Sequence, residues 1–368
     1  MTLGATALAD KKVISTSEAA SPRKRFAALD GLRGIAALIV VLFHASARYQ
    51  MHLAPYAYLA VDFFFCLSGY VLAHAYSDRL KRDNAAVWFV RDRLIRLMPM
   101  ISLGASLCAI SYIVNGGSKT IAITGFVFSL LNIPMLSPPQ TFHHYYVFPI
   151  NPPQYSLFFE LVINLLWVTC RRYQPLLIAV AVISSITFLI LGEGGAESWN
   201  FWLGFPRAGS SFLIGVFLFG LSRKIFSKIP GRIVELVFWP LCIFAVLLLC
   251  WYRDTSHKTL VIYGWTFGVS PLLVILGAKI ELPAVAEKIA TIAGNLSYPL
   301  YALHLGFLLL AFALLSALQR VGLPAFDEAG MLTIMLSIAI AGSWLAYKHI
   351  DVPLRAWLSQ RLHPHFPL

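Results

Sequence analysis

The sequence predicts an all-α fold, a polytopic integral membrane bundle of about ten transmembrane helices plus a possible re-entrant segment. Of the 368 residues, 58% are hydrophobic and only 12% are charged, whereas a soluble globular domain carries about 25% charged residues. The apolar residues form runs of membrane-spanning length, and the basic residues gather in the short loops between them, as the positive-inside rule expects. This pattern accounts for the net charge of +12, so we expect no nucleic acid as a partner.

The ends of the chain are polar. Residues 1–28 predict a disordered cytoplasmic tail rather than a signal peptide, because the apolar run that follows is long and has no small-residue cleavage site. The membrane domain is expected over 29–356, with a cytoplasmic C-terminal tail over 357–368. Both termini are then cytoplasmic, in a multi-pass protein of the inner (plasma) membrane.

Ten apolar runs predict spans. The first four lie at about 31–49, 56–76, 99–114 and 155–170. The remaining six lie at about 174–191, 208–222, 233–251, 260–278, 296–318 and 331–348. The segment 77–97, between the second and third spans, is the most basic of the chain, and we therefore expect it in the cytoplasm.

One further apolar run, residues 120–136, is interrupted by Asn132 and Pro134. If this run crosses the membrane, Arg171 and Arg172 lie outside, against the positive-inside rule. If it is re-entrant or interfacial, all later basic loops lie inside. We prefer the second arrangement.

The segment 137–154 is rich in proline, tyrosine and histidine and has no acidic or basic residue. It predicts either a lid or acceptor platform on the outer side, or an ordinary interfacial aromatic belt. His143 and His144 have no third ligand nearby, so we expect no metal site and no permanently bound cofactor.

The first span carries two ionisable residues, Arg33 near its start and His44 within it. They are 11 residues apart, which on an α-helix is about 20° past three full turns and roughly 16 Å along the axis. The two side chains therefore share one face. Ionisable groups inside a span are candidate functional residues. The alternative is that Arg33 extends to the interface and His44 is a hydrogen-bonded packing residue.

Six blocks of the sequence, in order, carry a resemblance to a known family. They are Leu29-Asp30-Gly31-Leu32-Arg33-Gly34 through His44, Asp62-Phe63-Phe64-Phe65-Cys66-Leu67-Ser68-Gly69-Tyr70-Val71-Leu72, Arg91-Asp92-Arg93-Leu94-Ile95-Arg96-Leu97-Met98-Pro99, Tyr155-Ser156-Leu157-Phe158-Phe159-Glu160, Gly294 through His304, and Tyr347 through Arg355. Over 29–355 the chain resembles the type 3 membrane acyltransferases, which transfer acyl groups to sugars of the cell surface. Cys66, Tyr70, Tyr155 and Asp351 depart mildly from the family pattern.

The resemblance implies an O-acyltransferase, an enzyme that transfers groups other than aminoacyl groups, with His44 as catalytic base or covalent acyl carrier. Imidazole titrates near neutral pH, which suits a general base. The expected donor is cytoplasmic acyl-CoA, used as a co-substrate, and the expected group is acetyl. The expected acceptor is a hydroxyl of a cell-surface or lipid-linked saccharide. Many relatives carry an extra outer esterase-like domain, for which this chain is too short, so we expect the chemistry to finish inside the membrane domain.

The donor is expected to bind at three arginines. Arg93 and Arg96 are three residues apart and so share a helix face, and arginine suits phosphate oxygens. Together with Arg33 they predict an acyl-CoA site at the cytoplasmic side, from which the thioester extends towards His44. We therefore expect His44 and these arginines to share one water-poor chamber. Alternatively, the basic residues of this segment only set the topology.

Five further residues are candidates for the site. Glu160 is a second catalytic candidate that could orient His44, or a member of a structural ion pair. Ser68 could contribute to the site or allow close helix packing. Arg207 could contact an anionic or lipid-linked acceptor, or serve as an interfacial anchor. Tyr301 and His304 are candidates to contact the acceptor or to support His44, and His304 could equally be a packing residue.

Two other functions remain open from the sequence. Ten spans with buried ionisable residues also fit a transporter of a lipid or polysaccharide intermediate, although the sequence shows no paired halves with interrupted helices. An acyltransferase that acts on a non-sugar acceptor is equally compatible. The sequence does not indicate an oligomeric state.

Overall fold

A computed structural model describes residues 25–47, 51, 53–76, 85–224, 226–251, 255–321 and 326–362. Within these residues the chain is helical, and only two isolated bridges between loops have extended pairing. The helices of the first half are α1 (Ala27–Ala47), α2 (Ala60–Tyr76), α3 (Ala85–Val114), α4 (Lys119–Leu130), α5 (Gln154–Cys170) and α6 (Gln174–Leu191). Those of the second half are α7 (Gly204–Lys224), α8 (Gly231–Cys250), α9 (Lys258–Gly264), α10 (Ser270–Gly277), α11 (Ala284–Arg320), α12 (Glu328–Ala346) and α13 (Val352–Leu362).

Nine helical segments in the described part of the chain are long and apolar enough to cross a membrane. They contain α1, α2, α3, α6, α7, α8, α9 with α10, α11, and α12 with α13. The predicted fourth span corresponds to α5, an apolar helix of 17 residues, about 25 Å long. The predicted polytopic helical bundle is therefore confirmed.

Two predicted spans lie within longer helices. Helix α3 begins at Ala85 and continues through Pro99, so the helix starts 14 residues before the predicted third span. Its 30 residues extend over about 45 Å, which is longer than the hydrocarbon core of a bilayer. Arg91, Arg93 and Arg96 of the basic segment 77–97 are thus on the N-terminal part of this helix. Helix α11 is also longer than predicted and has 37 residues.

The structure describes only residues 25–28 of the predicted N-terminal tail and residues 357–362 of the predicted C-terminal tail. Arg25 is already in place, because its Nε lies 2.6 Å from a carboxylate oxygen of Asp30, and α1 begins at Ala27. At the other end, α13 continues to Leu362, so residues 357–362 are helical. The rest of both predicted tails, and all of 77–84, lie outside the described residues.

Helix α4, which lies in the run 120–136, is shorter than a membrane-spanning helix. It has 12 residues and is about 18 Å long, against roughly 30 Å of hydrocarbon. Its small residues Ala122, Gly125 and Ser129 are buried, whereas Ile123 and Val127 are exposed. The buried side chain of Gln154, at the start of α5, donates to the backbone oxygen of Ser129 (2.7 Å). The helix therefore lies against the bundle, as in the re-entrant or interfacial alternative.

The bundle is organised by two close helix pairs. Helix α11 packs along α1, and also contacts α3 and α12, while α2 packs along α7. At the α2–α7 crossing, a Cβ atom at Gly69 would collide with the backbone of Phe212, and one at Gly215 would collide with the backbone of Cys66. The backbones approach as closely as glycine permits. This contact fixes α2 next to α7, while α11 holds α1.

The outer surface of the bundle is apolar. Helices α6 and α8 expose large aliphatic side chains, among them Ile183, Ile190, Leu236 and Ile243. A soluble monomer rarely exposes apolar patches of this extent. These faces are suited to lipid.

Candidate active site

The two histidines of the apolar core lie together between α1 and α11. The ring centroids of His44 and His304 are 5.1 Å apart, and the ring planes are tilted by 37°. His304 is 1% exposed, and its Nδ1 lies 2.7 Å from the backbone oxygen of Tyr301. A carbonyl only accepts, so Nδ1 carries the hydrogen and Nε2 is left as an acceptor. No hydrogen bond to this Nε2 occurs within the described part of the chain.

His44 is half-buried and faces a cavity of about 170 Å³, the His44 cavity. Apart from His44, the walls are aromatic, proline and small aliphatic side chains: Val40, Phe43, Tyr58, Val61, Tyr146, Pro152, Pro153, Tyr155, Ala196 and Tyr301. The cavity therefore combines one imidazole with several flat apolar faces and phenol groups.

Part of this wall comes from the segment 137–154. Tyr146, Pro152 and Pro153 belong to it. The segment is held by backbone hydrogen bonds to the loop after α6, from the Val147 nitrogen to the Ala196 oxygen (3.0 Å) and from the Ser198 nitrogen to the Tyr145 oxygen (3.0 Å). Burial raises the pKa of Tyr146, and the nearby Glu197 carboxylate adds to the rise, so this phenol stays protonated near neutral pH.

The three arginines that the sequence singled out lie together in a second cavity of about 90 Å³, the arginine cavity. Its polar lining consists of Arg33, Ser68, Arg93, Arg96, Ser156, Glu160, Ser297, Tyr298 and Tyr301, and the remainder is apolar. Arg33 donates to Ser297 Oγ (2.8 Å) and to the Gly294 oxygen (2.6 Å). Arg93 is buried, with its guanidinium 5.5 Å from the centre of the Phe89 ring.

A third and larger cavity, the mouth cavity, has about 400 Å³. It shares Arg33, Arg96 and Tyr298 with the arginine cavity. The charged residues of its lining are Arg25, Asp30, Arg33, Arg96, Asp351 and Arg355. Asp30 lies 2.6 Å from Arg25 and 3.8 Å from Arg33, and Asp351 lies 2.5 Å from Arg355. Four cations against two carboxylates leave an excess of positive charge for an anionic ligand.

The three cavities are arranged in series. The mouth cavity adjoins the arginine cavity, and the arginine cavity adjoins the His44 cavity through Val61 and Tyr301, which line both. The prediction that Arg33 and His44 share a face is confirmed, because both side chains face α11, at Ser297 and at His304. The single shared chamber is replaced by two cavities, because Tyr301 stands between them.

Glu160 is in the arginine cavity and not in the His44 cavity. Its Oε1 accepts a hydrogen bond from Ser68 Oγ (3.1 Å), and its charge acts on Arg33 and Arg93. The structure thus brings Glu160 and Ser68 together with the arginines. Glu160 does not contact His44 in the described part of the structure. Its predicted role in orienting His44 therefore stays a prediction.

Arg207 is 4% exposed and forms a two-pronged ion pair with Asp62. Its Nε lies 2.8 Å from Oδ1 and its Nη2 lies 2.7 Å from Oδ2 of that carboxylate. Nη2 also donates to the Tyr58 backbone oxygen (3.0 Å). Arg207 is therefore not an interfacial anchor, and direct contact with an acceptor, which stays a prediction, would require this pair to open. We assigned no role to Asp62, although an acidic residue inside a span was the signal for a buried cation as its partner.

Other residues that sequence reasoning missed are the tyrosines Tyr58, Tyr146 and Tyr155 around His44 and the Asp351–Arg355 pair at the mouth cavity. Tyr146, Tyr155 and the Asp351–Arg355 pair are brought to the site by segments far from it in sequence. His143 and His144 form no metal cluster with a third ligand among the described residues; His144 Nδ1 lies 3.4 Å from Glu197 Oε1.

Comparison with known proteins gives both a family and relatives. The family model described as "Acyltransferase domain" matches residues 26–348. "Protein 2 in picA locus" of Rhizobium radiobacter is 32% identical over 191 residues, 46% of this chain and 96% of that protein. "Putative peptidoglycan O-acetyltransferase YrhL" of Bacillus subtilis (strain 168) is 22% identical over 357 residues, 89% of this chain and 54% of that protein.

A protein of Staphylococcus aureus (strain COL), named as a putative O-acetyltransferase, is also 22% identical, over 355 residues, which is 89% of this chain and 57% of that protein. The chain thus spans little more than half the length of these two O-acetyltransferase-named relatives. No solved structure matches the chain.

Proposed function

Because this chain belongs to the acyltransferase domain family, whose model it matches over residues 26–348, we propose that it is an integral membrane O-acyltransferase. It transfers an acyl group, acetyl in our proposal, from acyl-CoA to a hydroxyl of a cell-surface or lipid-linked saccharide. The observation that carries the proposal is the series of cavities that leads from an arginine-rich mouth to His44.

The mouth and arginine cavities suit the donor. Acyl-CoA carries phosphate groups at one end and a thioester at the end of a narrow, extended arm. Arginine forks bind phosphate oxygens in pairs, and four arginines line the mouth cavity. The arginine cavity beyond it is smaller and is lined by both polar and apolar side chains, which suits an arm that has amide groups and methylene groups. Acyl-CoA is made in the cytoplasm, so in this proposal the mouth faces the cytoplasm and both termini lie on that side.

The His44 cavity suits the acceptor. Aromatic and proline rings present flat apolar faces to the C–H face of a sugar ring, while phenol groups hydrogen-bond its hydroxyls. Tyr146, Tyr155 and Pro152 provide such groups in the wall of this cavity. The name of the Bacillus subtilis relative refers to peptidoglycan, which supports a saccharide as the acceptor class here. The segment 137–154 then serves as the acceptor platform.

Transfer would proceed at the junction of the two cavities. His44 takes the proton of the acceptor hydroxyl, whose oxygen attacks the thioester carbonyl carbon. The carbon–sulfur bond then breaks, and the leaving thiolate takes the proton from His44. A positioned base of this kind contributes typically 10²–10⁴-fold to the rate. The apolar walls exclude water, which otherwise competes as the acceptor.

The arginines and Glu160 would act on the donor. Arg33 is fixed by Ser297 and Gly294, and it lines both the mouth and the arginine cavities. It can therefore hold the arm where the donor passes from one to the other. Glu160, bonded to Ser68, balances part of the arginine charge. The lipid bilayer, acyl-CoA and the saccharide are the partners of this proposal.

The test is mass spectrometry of cell-surface glycans from cells with and without the protein. We expect an acyl ester on a saccharide only when the wild-type protein is present. His44→Ala should abolish the ester with normal membrane insertion. The matched control is His257→Ala, because this histidine is exposed at the start of α9. Identical glycans with and without the protein, or full acylation with His44→Ala, would contradict the proposal.

A further inference from the structure

The boundary between the arginine cavity and the His44 cavity is formed by two shared residues, Val61 and Tyr301. Of the two, only Tyr301 carries a polar side-chain atom. In the proposed function, on which this inference rests, the thioester arrives from one cavity and the acceptor hydroxyl from the other. The reacting carbon must then lie beside this boundary.

The hydroxyl of Tyr301 is itself at the boundary, and not only its ring. Its oxygen lies 2.6 Å from Ser156 Oγ and 3.4 Å from the Pro153 backbone oxygen. Ser156 lines the arginine cavity, whereas Pro153 lines the His44 cavity. The phenol oxygen therefore lies between one residue of the arginine cavity and one residue of the His44 cavity.

The hydrogen of this hydroxyl can be assigned from the same contacts. Ser156 has a single hydroxyl hydrogen, and its Oγ lies 3.0 Å from the Pro153 oxygen, which is shorter than the 3.4 Å from Tyr301 to that oxygen. When Ser156 donates to Pro153, the 2.6 Å contact must be a bond from Tyr301 to Ser156 Oγ. The phenol is thus a hydrogen-bond donor positioned at the boundary.

The position of this donor is fixed by packing. Tyr301 is 6% exposed, and its ring lies edge-on to Phe64, with centroids 5.6 Å apart and planes at 83°. Its backbone oxygen accepts from His304 (2.7 Å), so Tyr301 and the ring beside His44 are part of one turn of α11. Donors held rigidly before the reaction are those that stabilise developing charge best.

We propose that the Tyr301 hydroxyl donates a hydrogen bond to the oxyanion that forms when the acceptor oxygen adds to the thioester carbonyl. The carbonyl oxygen gains the negative charge as the new carbon–oxygen bond forms, and it loses that charge when the carbon–sulfur bond breaks. Tyr301 keeps its proton throughout and shifts its hydrogen bond from Ser156 to the oxyanion. Ser156 remains bonded to the Pro153 oxygen.

The test compares Tyr301→Phe with Ser156→Ala in purified, reconstituted protein, with labelled acetyl-CoA and a saccharide acceptor. Tyr301→Phe removes the donor but keeps the ring against Phe64, and we expect kcat to fall by about 10²–10³-fold with the KM for acetyl-CoA unchanged. Ser156→Ala removes the same hydrogen bond in the resting protein but leaves the phenol, and we expect less than about a tenfold loss. Both variants should unfold at the temperature of the wild type to within a few degrees.

The outcomes separate the two proposals. If the wild type transfers no acetyl group, the proposed function and this inference both fail. If the wild type is active and Tyr301→Phe keeps its kcat, only the role of Tyr301 fails. An equal loss in Tyr301→Phe and Ser156→Ala would mean that the Tyr301–Ser156 bond has a structural role, and would overturn the oxyanion assignment. A rise in KM without a fall in kcat would overturn it as well.

Discussion

The imidazole rings of His44 and His304 lie 5.1 Å apart, centroid to centroid, although they come from α1 and α11. The two rings differ in their surroundings. His304 is buried and fixed through Nδ1 to the Tyr301 backbone oxygen, whereas His44 faces a cavity. The pair thus consists of one anchored ring and one ring open to a ligand. In the proposed function His304 is a positioning residue that holds the base.

Replacement of His304 tests that role. His304→Phe keeps a flat ring against His44 but removes both nitrogens and the bond to Tyr301. We expect kcat to fall by about 10–100-fold, because a slightly misplaced base is less effective, while His44→Ala loses essentially all transfer. The measurement is acetyl transfer by reconstituted protein over a range of pH. His304→Phe should also alter the pH dependence of kcat, which a merely structural change would not alter. If kcat and its pH dependence both keep their wild-type values, His304 does not position His44.

The arginines provide a second prediction, on donor binding. Arg93→Ala and Arg96→Ala should each raise the KM for acetyl-CoA by about 10–100-fold, because a hydrogen bond to a charged group contributes roughly 1.5–3 kcal/mol. Arg320→Ala is the matched control, since Arg320 is exposed at the end of α11. The KM for the saccharide should not change. If both variants keep the wild-type KM for acetyl-CoA, Arg93 and Arg96 only set the orientation of the chain in the membrane.

The local features of this fold were predictable from the sequence. Apolar runs gave the helices, and the 100° rotation per residue placed Arg33 and His44 on one face of α1, where the structure has them. The positive-inside rule, applied to Arg171 and Arg172, favoured the arrangement in which 120–136 does not cross the membrane. These predictions need only the geometry of one helix and the distribution of basic residues along the chain.

What the sequence could not supply are contacts between distant segments. The division into two cavities depends on Tyr301 of α11 meeting Ser156 of α5, and no periodicity encodes this meeting. The same holds for Tyr146, which reaches the His44 cavity from a loop. The start of α3 was misplaced for a different reason. Pro99 favours a helix start locally, but a helix can continue on the N-terminal side of a proline when packing supports it.

The ion pair between Asp62 and Arg207 leads to a prediction about stability. Both side chains are almost fully buried, so Asp62→Leu or Arg207→Met alone leaves one buried charge without its partner. We expect each to lower the free energy of unfolding by about 3–5 kcal/mol. The double variant Asp62→Leu/Arg207→Met removes both charges and should be more stable than either single variant. Denaturation in detergent measures the free energy of unfolding of the wild type, the two single variants and the double variant.

The double variant also tests whether Arg207 contacts the acceptor. If the ion pair is structural, recovery of stability should be accompanied by a wild-type KM for the saccharide. A double variant that is stable but has a raised acceptor KM would support the contact predicted from the sequence. Additive losses of stability in the double variant would contradict the pairing itself.

The last prediction concerns the α2–α7 crossing, where two glycines of the same helix make a matched comparison. A Cβ at Gly215 would collide with the backbone of Cys66, whereas a Cβ at Gly220 meets nothing within 4 Å. Gly215→Ala must therefore push α2 and α7 apart. Gly220→Ala only replaces a weak helix former by a strong one, which contributes up to about 1 kcal/mol in favour of the helix.

We expect Gly215→Ala to lower the unfolding temperature and the yield of membrane-inserted protein, and Gly220→Ala to leave both unchanged or slightly raised. Moving α2 away from α7 should also displace residues of the site, because Ser68 and Val61 of α2 line the arginine cavity. Gly215→Ala should thus lower kcat in whatever protein folds. If Gly215→Ala and Gly220→Ala behave alike in unfolding and activity, the helices do not cross as closely as the structure has them, and the position of α2 in the arginine cavity would have to be revised.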